Sequence, residues 1–467
     1  MNDKRKLDPI ILREYDIRGV VGENLNAGEV RSIGRGFGSL VREQVGLHLA
    51  PTVAVGYDGR LSSLEFSDAV CAGLTASGID VKNVGCGPTP MLYYATHELA
   101  TDAGIMITGS HNPSNYNGLK FVLTGKPFFG ADIQRLGKRV EAGDFHGGPG
   151  SIKKHNLELR YIKRLLHDFS GKKELSVVWD PGNGSSGEIV QELIKHLPGK
   201  HFLINEKIDG SFPAHHPDPT IESNLTQLKN LVIKNGCDLG IGFDGDGDRI
   251  GLIDSKGRVL WGDQILILLA RDVLKNKPGE TIIADVKASK VFFDEIAKAG
   301  GRPVMCAAGH SLIKSKMLEI NSPLAGEMSG HIFFADKYFG YDDAIYAAIR
   351  LLTILSHADQ SLTEMHDDLP KMLNTPELRI DCPEERKFDV IKEIKSRLSS
   401  IEGATVHDID GVRVETKDGW WLVRASNTQA VLVARCESAT EVGLLFLKQQ
   451  IREHLAASKI DPPIDLI

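Results

Sequence analysis

The sequence predicts an α/β protein: three similar mixed-sheet α/β domains plus a smaller C-terminal α+β domain, around one central cleft. Three segments, which begin at Thr52, Leu175 and Thr281, share one pattern: a β-branched strand ending in Asp, a helix, a glycine and a second strand. Strands joined through a helix in this way form a βαβ unit with a parallel pair. Three such units spread along the chain indicate three similar domains.

The predicted elements follow the same order within each unit. They are strand 52–58, helix 63–77 and strand 80–84 in the first; strand 175–180, helix 186–196 and strand 202–205 in the second; and strand 281–285, helix 289–299 and strand 303–306 in the third. A distinctive polar loop follows each unit at a strand end, which is where ligands bind in α/β folds. Three repeats with three different loops predict one shared cleft with three different roles.

The C-terminal part has the alternating pattern of antiparallel strands. Strands over 411–416 and 420–424 flank a D-G turn, a third strand covers 430–436, and an amphipathic helix covers 440–455. Prolines between 370 and 383 predict a linker before this part. The predicted domains are therefore 1–153, 154–257, 258–370 and 371–467.

Composition narrows the range of functions. The 467 residues carry a formal charge of −7, which argues against a general binder of nucleic acid or of anionic membranes. Six cysteines are scattered without a CxxC spacing, as in reduced cytosolic proteins without disulfides or a zinc site. The segment 1–12 lacks the apolar core of a signal peptide, and no apolar run approaches about 18 residues. We therefore expect a cytoplasmic protein that binds neither nucleic acid nor membrane.

An acidic loop follows the apolar run 237–243. Asp244, Asp246 and Asp248 alternate with glycines, and Arg249 ends the loop. Two like charges about 4 Å apart repel by roughly 4 kcal/mol at an effective dielectric of about 20. Three carboxylates in one tight loop therefore need a cation, and hard divalent ions take oxygen ligands of this kind. Arg249 adds a fixed positive charge suited to a phosphate.

Two other interpretations of the acidic loop compete with a catalytic metal site. A solvated acidic turn has the same composition. An EF-hand also places Asp at loop positions 1, 3 and 5, but here position 6 is Arg249 instead of Gly and position 12 is Ser255 instead of Glu. The EF-hand pattern therefore fails.

Ser110 lies in a polar turn that leaves the buried strand 104–107. It is either a nucleophile that carries a group or the N-cap of a helix. A serine hydrolase is a weaker interpretation, because no G-x-S-x-G surrounds Ser110 and the adjacent His111 is poorly placed as its base. Lys120 falls near the same strand end.

Two further loops carry grouped polar side chains. Glu327, Ser329 and His331 alternate with small residues, and a carboxylate, a hydroxyl and an imidazole together suit the hydroxyls of a sugar. The loop 424–428 combines a guanidinium, two hydroxyls and an amide, which suit a phosphate. The structural alternative for the first of these loops is a polar turn with one hydrogen-bonded histidine. For the second, it is the end of a hairpin that carries polar side chains.

Taken together, the four loops resemble one family. They read TGSHNP at 108–113, DGDGDR at 244–249, GEMSGH at 326–331 and RASNT at 424–428. In this order they resemble the phosphoserine, metal, sugar and phosphate loops of the α-D-phosphohexomutases, specifically the bacterial phosphomannomutase/phosphoglucomutase branch. The resemblance covers nearly the whole chain, including Tyr-Asp-Ile-Arg-Gly at 15–19. We call the four segments the serine, metal, sugar and phosphate loops.

The resemblance implies that Ser110 carries a phosphoryl group and that Ser110, Asp244, Asp246 and Asp248 hold Mg²⁺. Arg249 would stabilise the transferring group. The substrate would be a hexose 1- or 6-phosphate, with a hexose 1,6-bisphosphate as intermediate and activator. The implied substrate-binding residues are Tyr15, Arg18, Lys120, Arg249, Lys287, His310, Glu327, Ser329, His331, Arg424, Ser426, Asn427 and Thr428. Lys120, His111 and His331 are all candidates for the general acid or base.

The alternatives are a phosphoglucosamine mutase or a non-catalytic protein that binds Mg²⁺ or sugar phosphates. Met328 favours the glucose/mannose branch, because the glucosamine branch usually has Gln there and a different last loop. The chain departs from close family members at Gln429-Ala430, where Thr-Pro often follows the phosphate loop. The expected partners are small sugar phosphates, and the expected assembly is a monomer or a dimer.

Overall fold

The computed structural model describes residues 4–46, 50–398, 403–427, 429–463 and 466. Within these residues, four β-sheets follow one another along the chain. Three are mixed sheets with helices around them, and the fourth is antiparallel. The predicted fold class is therefore confirmed. No helix in the described ranges is both long and apolar enough to cross a membrane.

The first sheet and its helices are built from β1 (Ile17–Val20), α1 (Ala27–Val45), β2 (Thr52–Tyr57), α2 (Ser63–Ala76), β3 (Asp80–Cys86), α3 (Thr89–Glu98), β4 (Ala103–Ile107), β5 (Tyr116–Leu123), β6 (Lys126–Pro127), α4 (Ala131–Ala142) and β7 (Ile152–Lys154). The strand order is β1-β5-β4-β2-β3-β7, and β6 pairs with β5.

The second group comprises α5 (Glu158–Leu166), β8 (Leu175–Asp180), α6 (Gly187–Leu193), β9 (Gly199–Leu203), α7 (Thr226–Asn235), β10 (Leu239–Phe243), β11 (Ile250–Asp254) and β12 (Val259–Leu260). The third comprises α8 (Gly262–Asn276), β13 (Thr281–Asp285), α9 (Lys290–Lys298), β14 (Arg302–Cys306), α10 (His310–Ile320), β15 (Leu324–Gly326), β16 (Ile332–Phe334), α11 (Ala344–His357) and α12 (Leu362–Asp367). Their strand orders are β12-β11-β10-β8-β9 and β14-β13-β15-β16.

The last group comprises β17 (Leu373–Asn374), β18 (Leu378–Asp381), α13 (Lys387–Arg397), β19 (Thr405–His407), β20 (Val412–Thr416), β21 (Gly419–Ala425), β22 (Val431–Ser438) and α14 (Glu441–Ala457). Its main strand order is β17-β22-β21-β20-β19, with β18 paired to β22. Part of the predicted linker is thus β17, which is attached to the sheet that follows it.

The first three sheets repeat one connection. The predicted βαβ units form the parallel pairs β2–β3, β8–β9 and β13–β14. The next strand (β4, β10 or β15) runs parallel to the first strand of its unit and then turns back into an antiparallel partner, β5, β11 or β16. The serine, metal and sugar loops are these three turns. The repeat therefore places the loops at equivalent strand ends.

One predicted strand begins earlier than expected. The pattern predicts a strand over 202–205, whereas β9 is Gly199–Leu203. Gly199 has φ of +109°, and a Cβ on it would lie 2.1 Å from the carbonyl oxygen of Leu175. Because glycine tolerates this conformation and this close approach, the chain joins the sheet directly after the preceding helix.

The hydrophobic cores do not follow the sheets one to one. The second and third sheets share one large core that includes Trp179 and Phe292. The first sheet has a core around Phe37, and the C-terminal sheet has another around Trp421. The C-terminal domain thus has a core of its own, which favours its movement as a unit. A small buried cluster that includes Ala308 and Trp420 packs it against the third domain. The boundaries near 153, 257 and 370 stay predictions.

Candidate active site

Ser110 lies in the serine loop, between β4 and β5, in a left-handed backbone conformation with φ of +49°. Its side chain is buried, and its N–H donates to Thr108 Oγ1 at 2.8 Å. Asp58, at the end of β2, accepts hydrogen bonds from Thr108 Oγ1 at 2.7 Å and from Gly109 N at 3.1 Å. A non-glycine residue in this region is uncommon and costs energy, so these bonds hold the serine in a conformation that it would not adopt alone.

Arg60, which lies outside the serine loop in the sequence, holds the backbone of that loop in place. Its buried guanidinium donates to four backbone carbonyl oxygens: those of Ser110 (2.7 Å), Asn112 (2.6 Å), Pro113 (2.6 Å) and Tyr116 (2.9 Å). Hydrogen bonds from a charged donor are stronger than neutral ones, and buried ones more so. Sequence reasoning missed this residue, because an arginine about 50 residues before the loop belongs to no recognised motif. The strand-ending Asp at 58 was the nearest signal.

The three aspartates of the metal loop are buried and converge. Asp244, Asp246 and Asp248 each offer a carboxylate oxygen, and these atoms lie within 4.8 Å of one another. Asp244 Oδ2 accepts the Ser110 hydroxyl at 2.9 Å, which joins the metal loop to the serine loop. Burial and the charges of Asp246 and Asp248 raise the pKa of Asp244 well above its usual value. A cation near these oxygens would relieve that repulsion.

Gly245 allows the serine and metal loops to touch. A Cβ at this position would lie 2.5 Å from the carbonyl oxygen of Ser110. That oxygen already accepts from Arg60 and has little room to shift. The contact between the two loops therefore requires a residue without a side chain at 245.

We expect Gly245→Ala to lower kcat by about 100-fold, because a displacement of about 1 Å between reacting groups has an effect of that size. Steady-state kinetics measure the loss. Gly147→Ala is the matched control, since nothing lies within 4 Å of a Cβ at that position. A Gly245→Ala enzyme with the wild-type kcat would show that the loops do not need this close approach.

Lys120, on β5, neutralises part of the acidic cluster. Its ammonium donates to Asp246 Oδ2 at 2.7 Å and to Asp248 Oδ2 at 2.5 Å. Burial lowers the pKa of Lys120, but the two carboxylates outweigh burial and raise it well above its usual value. Thr89, which sequence reasoning also missed, donates from Oγ1 to Asp246 Oδ2 at 2.5 Å. In this arrangement the Lys120 ammonium balances part of the negative charge of Asp246 and Asp248.

The residues of the cluster fit a divalent cation. All the donor atoms are carboxylate oxygens, which Mg²⁺ prefers. Asp246 Oδ1 is buried without a hydrogen-bond partner, and a buried orphan oxygen of this kind needs a ligand. Asp244, Asp246 and Asp248 would hold the ion, and Ser110 Oγ lies beside them.

The sugar loop reaches the metal loop through His331. The two ring nitrogens of His331 lie 3.1 Å from Asp248 Oδ1 and 3.0 Å from Glu327 Oε2. Burial lowers the pKa of His331, but these two carboxylates outweigh it and raise the pKa to about 9. Ser329 Oγ lies 3.3 Å from His331 Nδ1, and Glu327 Oε1 accepts from Gly309 N at 2.7 Å.

Arg249 and His111 flank the same centre. Arg249 Nε lies 3.4 Å from His331 Nε2, and Asp218 Oδ1 lies 3.8 Å from its terminal nitrogen. His111 Nδ1 lies 3.2 Å from Ser110 Oγ. Burial and the nearby charge of Arg249 lower the pKa of His111 well below its usual value. The pKa values of the two histidines are therefore shifted in opposite directions. The shift favours the neutral form of His111 and the charged form of His331.

Tyr15, Arg18 and His310 lie around this centre. Arg18 donates to Asn112 Oδ1 at 2.7 Å and to the Gly109 carbonyl oxygen at 3.2 Å, at the edge of the serine loop. The rings of Tyr15 and His310 are 6.0 Å apart, and those of His310 and His331 are 5.8 Å apart. His310 Nδ1 is buried without a hydrogen-bond partner.

The phosphate loop joins the site through Asn427, whose Nδ2 donates to Tyr15 OH at 2.6 Å. Arg424 Nε donates to Asp410 Oδ2 at 2.9 Å. The carbonyl oxygen of Ser426 accepts from buried Lys387 at 2.7 Å. Thr428, which the resemblance also implies, lies outside the described residues.

The predicted residues do not all lie in one cluster. Direct contacts join Ser110, His111, Lys120, the three aspartates, Arg249, Glu327, Ser329 and His331 into one network. Lys287 instead lies 3.3 Å from Glu377 Oε2 and 3.7 Å from Asp285 Oδ2, and Arg424 pairs with Asp410. Glu377 and Asp410 were not predicted, because single acidic residues outside the four loops carry no motif.

Comparison with known proteins places this architecture among the sugar-phosphate mutases. Models of the phosphoglucomutase/phosphomannomutase α/β/α domains I, II and III match residues 9–147, 159–257 and 261–373, and that of the C-terminal domain matches 377–454. The chain belongs to the phosphoglucomutase/phosphomannomutase family, which confirms the resemblance inferred from the four loops.

Similar proteins extend over nearly the whole chain. A Pseudomonas aeruginosa phosphomannomutase/phosphoglucomutase is 43% identical over 456 residues, 97% of each chain. A Neisseria gonorrhoeae phosphoglucomutase is 41% identical over 447 residues, 95% of this chain and 96% of that protein. A crystal structure of a family member from Burkholderia thailandensis has a TM-score of 0.91 at 39% identity and covers 97% of this chain and 98% of its own.

Proposed function

We propose that this chain is a phosphohexomutase that interconverts hexose 1-phosphate and hexose 6-phosphate of glucose, mannose or both. The observation that carries the proposal is the hydrogen bond of 2.9 Å from Ser110 Oγ to Asp244. It places a buried hydroxyl against a cluster of three carboxylates that fits a divalent cation. The names of the relatives that are 41–43% identical support the same activity.

The reaction comprises two phosphoryl transfers that move two different phosphoryl groups, the first from Ser110 to the sugar and the second from the sugar to Ser110. In the first transfer, the bond from phosphorus to Ser110 Oγ breaks, and Ser110 Oγ takes a proton from an acid. A bond forms to the free hydroxyl of the sugar phosphate, whose proton passes to a base. The product is a hexose 1,6-bisphosphate. After this intermediate reorients, its other phosphoryl group passes to Ser110 Oγ, whose hydroxyl gives its proton to a base, and the freed sugar oxygen takes a proton from an acid. Lys120, His111 and His331 are the candidates for the general acid and base, with the pKa of His111 lowered and the pKa values of Lys120 and His331 raised.

Charge around the transferring group comes from several side chains. Mg²⁺ held by Asp244, Asp246 and Asp248 would supply electrostatic stabilisation of the phosphoryl oxygens. Arg249 offers a guanidinium beside the metal loop for the same oxygens. Lys120 offsets the surplus negative charge of Asp246 and Asp248. A phosphoserine at Ser110 would bring about two further negative charges into this site.

The phosphate loop is suited to the phosphate that does not react. Arg424 and Asn427 lie in the C-terminal domain, away from Ser110 in sequence, yet Asn427 contacts Tyr15 of the first domain. The same residues would hold the distal phosphate in both orientations of the intermediate. A C-terminal domain with its own core supports a closing motion that excludes water during the reorientation.

In the sugar loop, Glu327 and Ser329 would form hydrogen bonds with hydroxyl groups that glucose and mannose share. If the 2-hydroxyl makes no contact, both glucose and mannose epimers are accepted. The alternative of a phosphoglucosamine mutase has less support, because an N-acetylphosphoglucosamine mutase is distant in sequence. A cytoplasmic location and a monomer or dimer remain predictions.

A coupled assay on the 1-phosphates of glucose, mannose and glucosamine tests the proposal. We expect the glucose and mannose compounds to be converted at least about 10-fold faster than the glucosamine compound. A substrate that leaves polar groups of the site unpaired is disfavoured at least this strongly. A trace of glucose 1,6-bisphosphate should shorten any lag. Preferred turnover of glucosamine 1-phosphate, or no turnover of any of the three, would refute it.

A further inference from the structure

Ala308, in the turn between β14 and α10, joins three domains through its backbone. Its carbonyl oxygen accepts from Tyr15 OH of the first domain at 2.7 Å. Its N–H donates to Asp410 Oδ2 of the C-terminal domain at 3.1 Å. Asn427 of the phosphate loop donates to the same Tyr15 hydroxyl at 2.6 Å. We call this set of contacts the Ala308 junction.

Asp410 also binds an arginine of its own domain. The oxygen that accepts from Ala308, Oδ2, accepts from Arg424 Nε at 2.9 Å. The side chains of Asp410 and Arg424 are only 12% and 9% exposed, so water competes little for the bond. Because Nε is occupied, the plane of the guanidinium is fixed. For its two terminal nitrogens, the described part of the chain supplies no hydrogen bond, which leaves them for an oxyanion.

We propose that Asp410 is a positioning residue that couples closure of the C-terminal domain to the orientation of Arg424 towards the distal phosphate. The inference rests on the proposed function. One carboxylate oxygen serves both bonds, and the N–H of Ala308 reaches it only when the C-terminal domain lies against the third domain. The bond to Arg424 lies within the C-terminal domain, and closure adds the Ala308 N–H to the same oxygen, which fixes the carboxylate that orients Arg424. Closure in turn brings Asn427 onto Tyr15, so the phosphate loop is held at two points.

The coupling has a signature that a merely structural role lacks. The phosphate loop would bind the distal phosphate whichever end of the sugar is reacting. Loss of Asp410 should therefore weaken the binding of hexose 1-phosphate and of hexose 6-phosphate by the same factor. The chemistry at Ser110 lies in other domains and should change less. The expected result is a large rise in KM in both directions with a smaller change in kcat.

The experiment compares Asp410→Ala with a matched control, Asp408→Ala. Asp408 is an exposed aspartate on the same segment, and its carboxylate binds Lys395 within the C-terminal domain. Calorimetry with glucose 6-phosphate, together with KM for both substrates, should show affinity about 10- to 100-fold weaker for Asp410→Ala and wild-type affinity for Asp408→Ala.

A third variant separates position from charge. Asp410→Asn keeps a carbonyl oxygen that can accept both hydrogen bonds, so its affinity should lie closer to wild type than that of Asp410→Ala. Equal affinity of Asp410→Ala and wild type, or a KM change in one direction only, would overturn the inference. A wild-type protein that neither binds nor converts sugar phosphates would refute the proposed function itself, which distinguishes the two failures.

Discussion

Replacing Ser110 with alanine is expected to lower mutase turnover by at least about 10⁴-fold, because the group-carrying oxygen is lost and nearby side chains cannot replace it. The Ser110 hydroxyl donates a hydrogen bond to Asp244 Oδ2 at 2.9 Å. A coupled assay with glucose 1-phosphate measures the rate. Intact mass should show about 80 Da of added phosphoryl on wild type treated with glucose 1,6-bisphosphate and none on the variant.

Ser114→Ala is the matched control for this change. Ser114 follows the serine loop on the same connection but is exposed. It should retain the wild-type rate and the added mass. A Ser110→Ala protein that turns over at the rate of Ser114→Ala would exclude a phosphoserine mechanism, and added mass that persists on Ser110→Ala would place the phosphoryl group elsewhere.

Removing divalent cations with a chelator should lower kcat by about 10³-fold, because a bound metal supplies several kcal/mol of stabilisation to the transferring charge. Addition of Mg²⁺ should restore it. Asp246→Asn removes one negative charge and keeps the side-chain shape. We expect this variant to need at least about tenfold more Mg²⁺ for half-maximal activity, since even indirect partners of a metal change its affinity by that amount.

Asp209→Asn is the control for the metal site. Asp209 lies in the same domain as the metal loop, but its carboxylate is exposed and accepts from Ser211 of its own turn. Its Mg²⁺ requirement should equal that of wild type. Full activity after chelation would show that the buried aspartates serve a structural purpose. The same would follow from an Asp246→Asn enzyme with an unchanged Mg²⁺ requirement.

Much of the fold was predictable because each βαβ unit is a local pattern. The strands that begin at Thr52, Leu175 and Thr281 pair in parallel as expected. The sequence predicted mixed sheets but not that β5, β11 and β16 are the antiparallel strands, since strand order in a sheet depends on contacts between distant segments. For the same reason, the core that the second and third sheets share could not be foreseen.

The site was predictable where its chemistry is concentrated in short loops. The residues that were missed act from elsewhere: Arg60 on the serine loop, Thr89 on Asp246 and Asp410 on Arg424. Each is an ordinary residue in its own segment. Only folding brings it next to its partner, so no spacing in the sequence could indicate its role.

The hydrogen bonds that Arg60 donates to the serine loop have a consequence for folding of the newly made chain. All four carbonyl groups that it binds belong to residues 110–116, in the connection from β4 to β5 and at the first residue of β5, in the first domain. Domains generally fold as units during synthesis, from the N-terminus onward. Ser110 thus reaches its constrained turn while Asp244, 134 residues later, is still to be made. At about 5–20 residues per second this interval is on the order of 10 s. In a nascent chain, Ser110 is therefore in its turn before the metal loop that it contacts has been made.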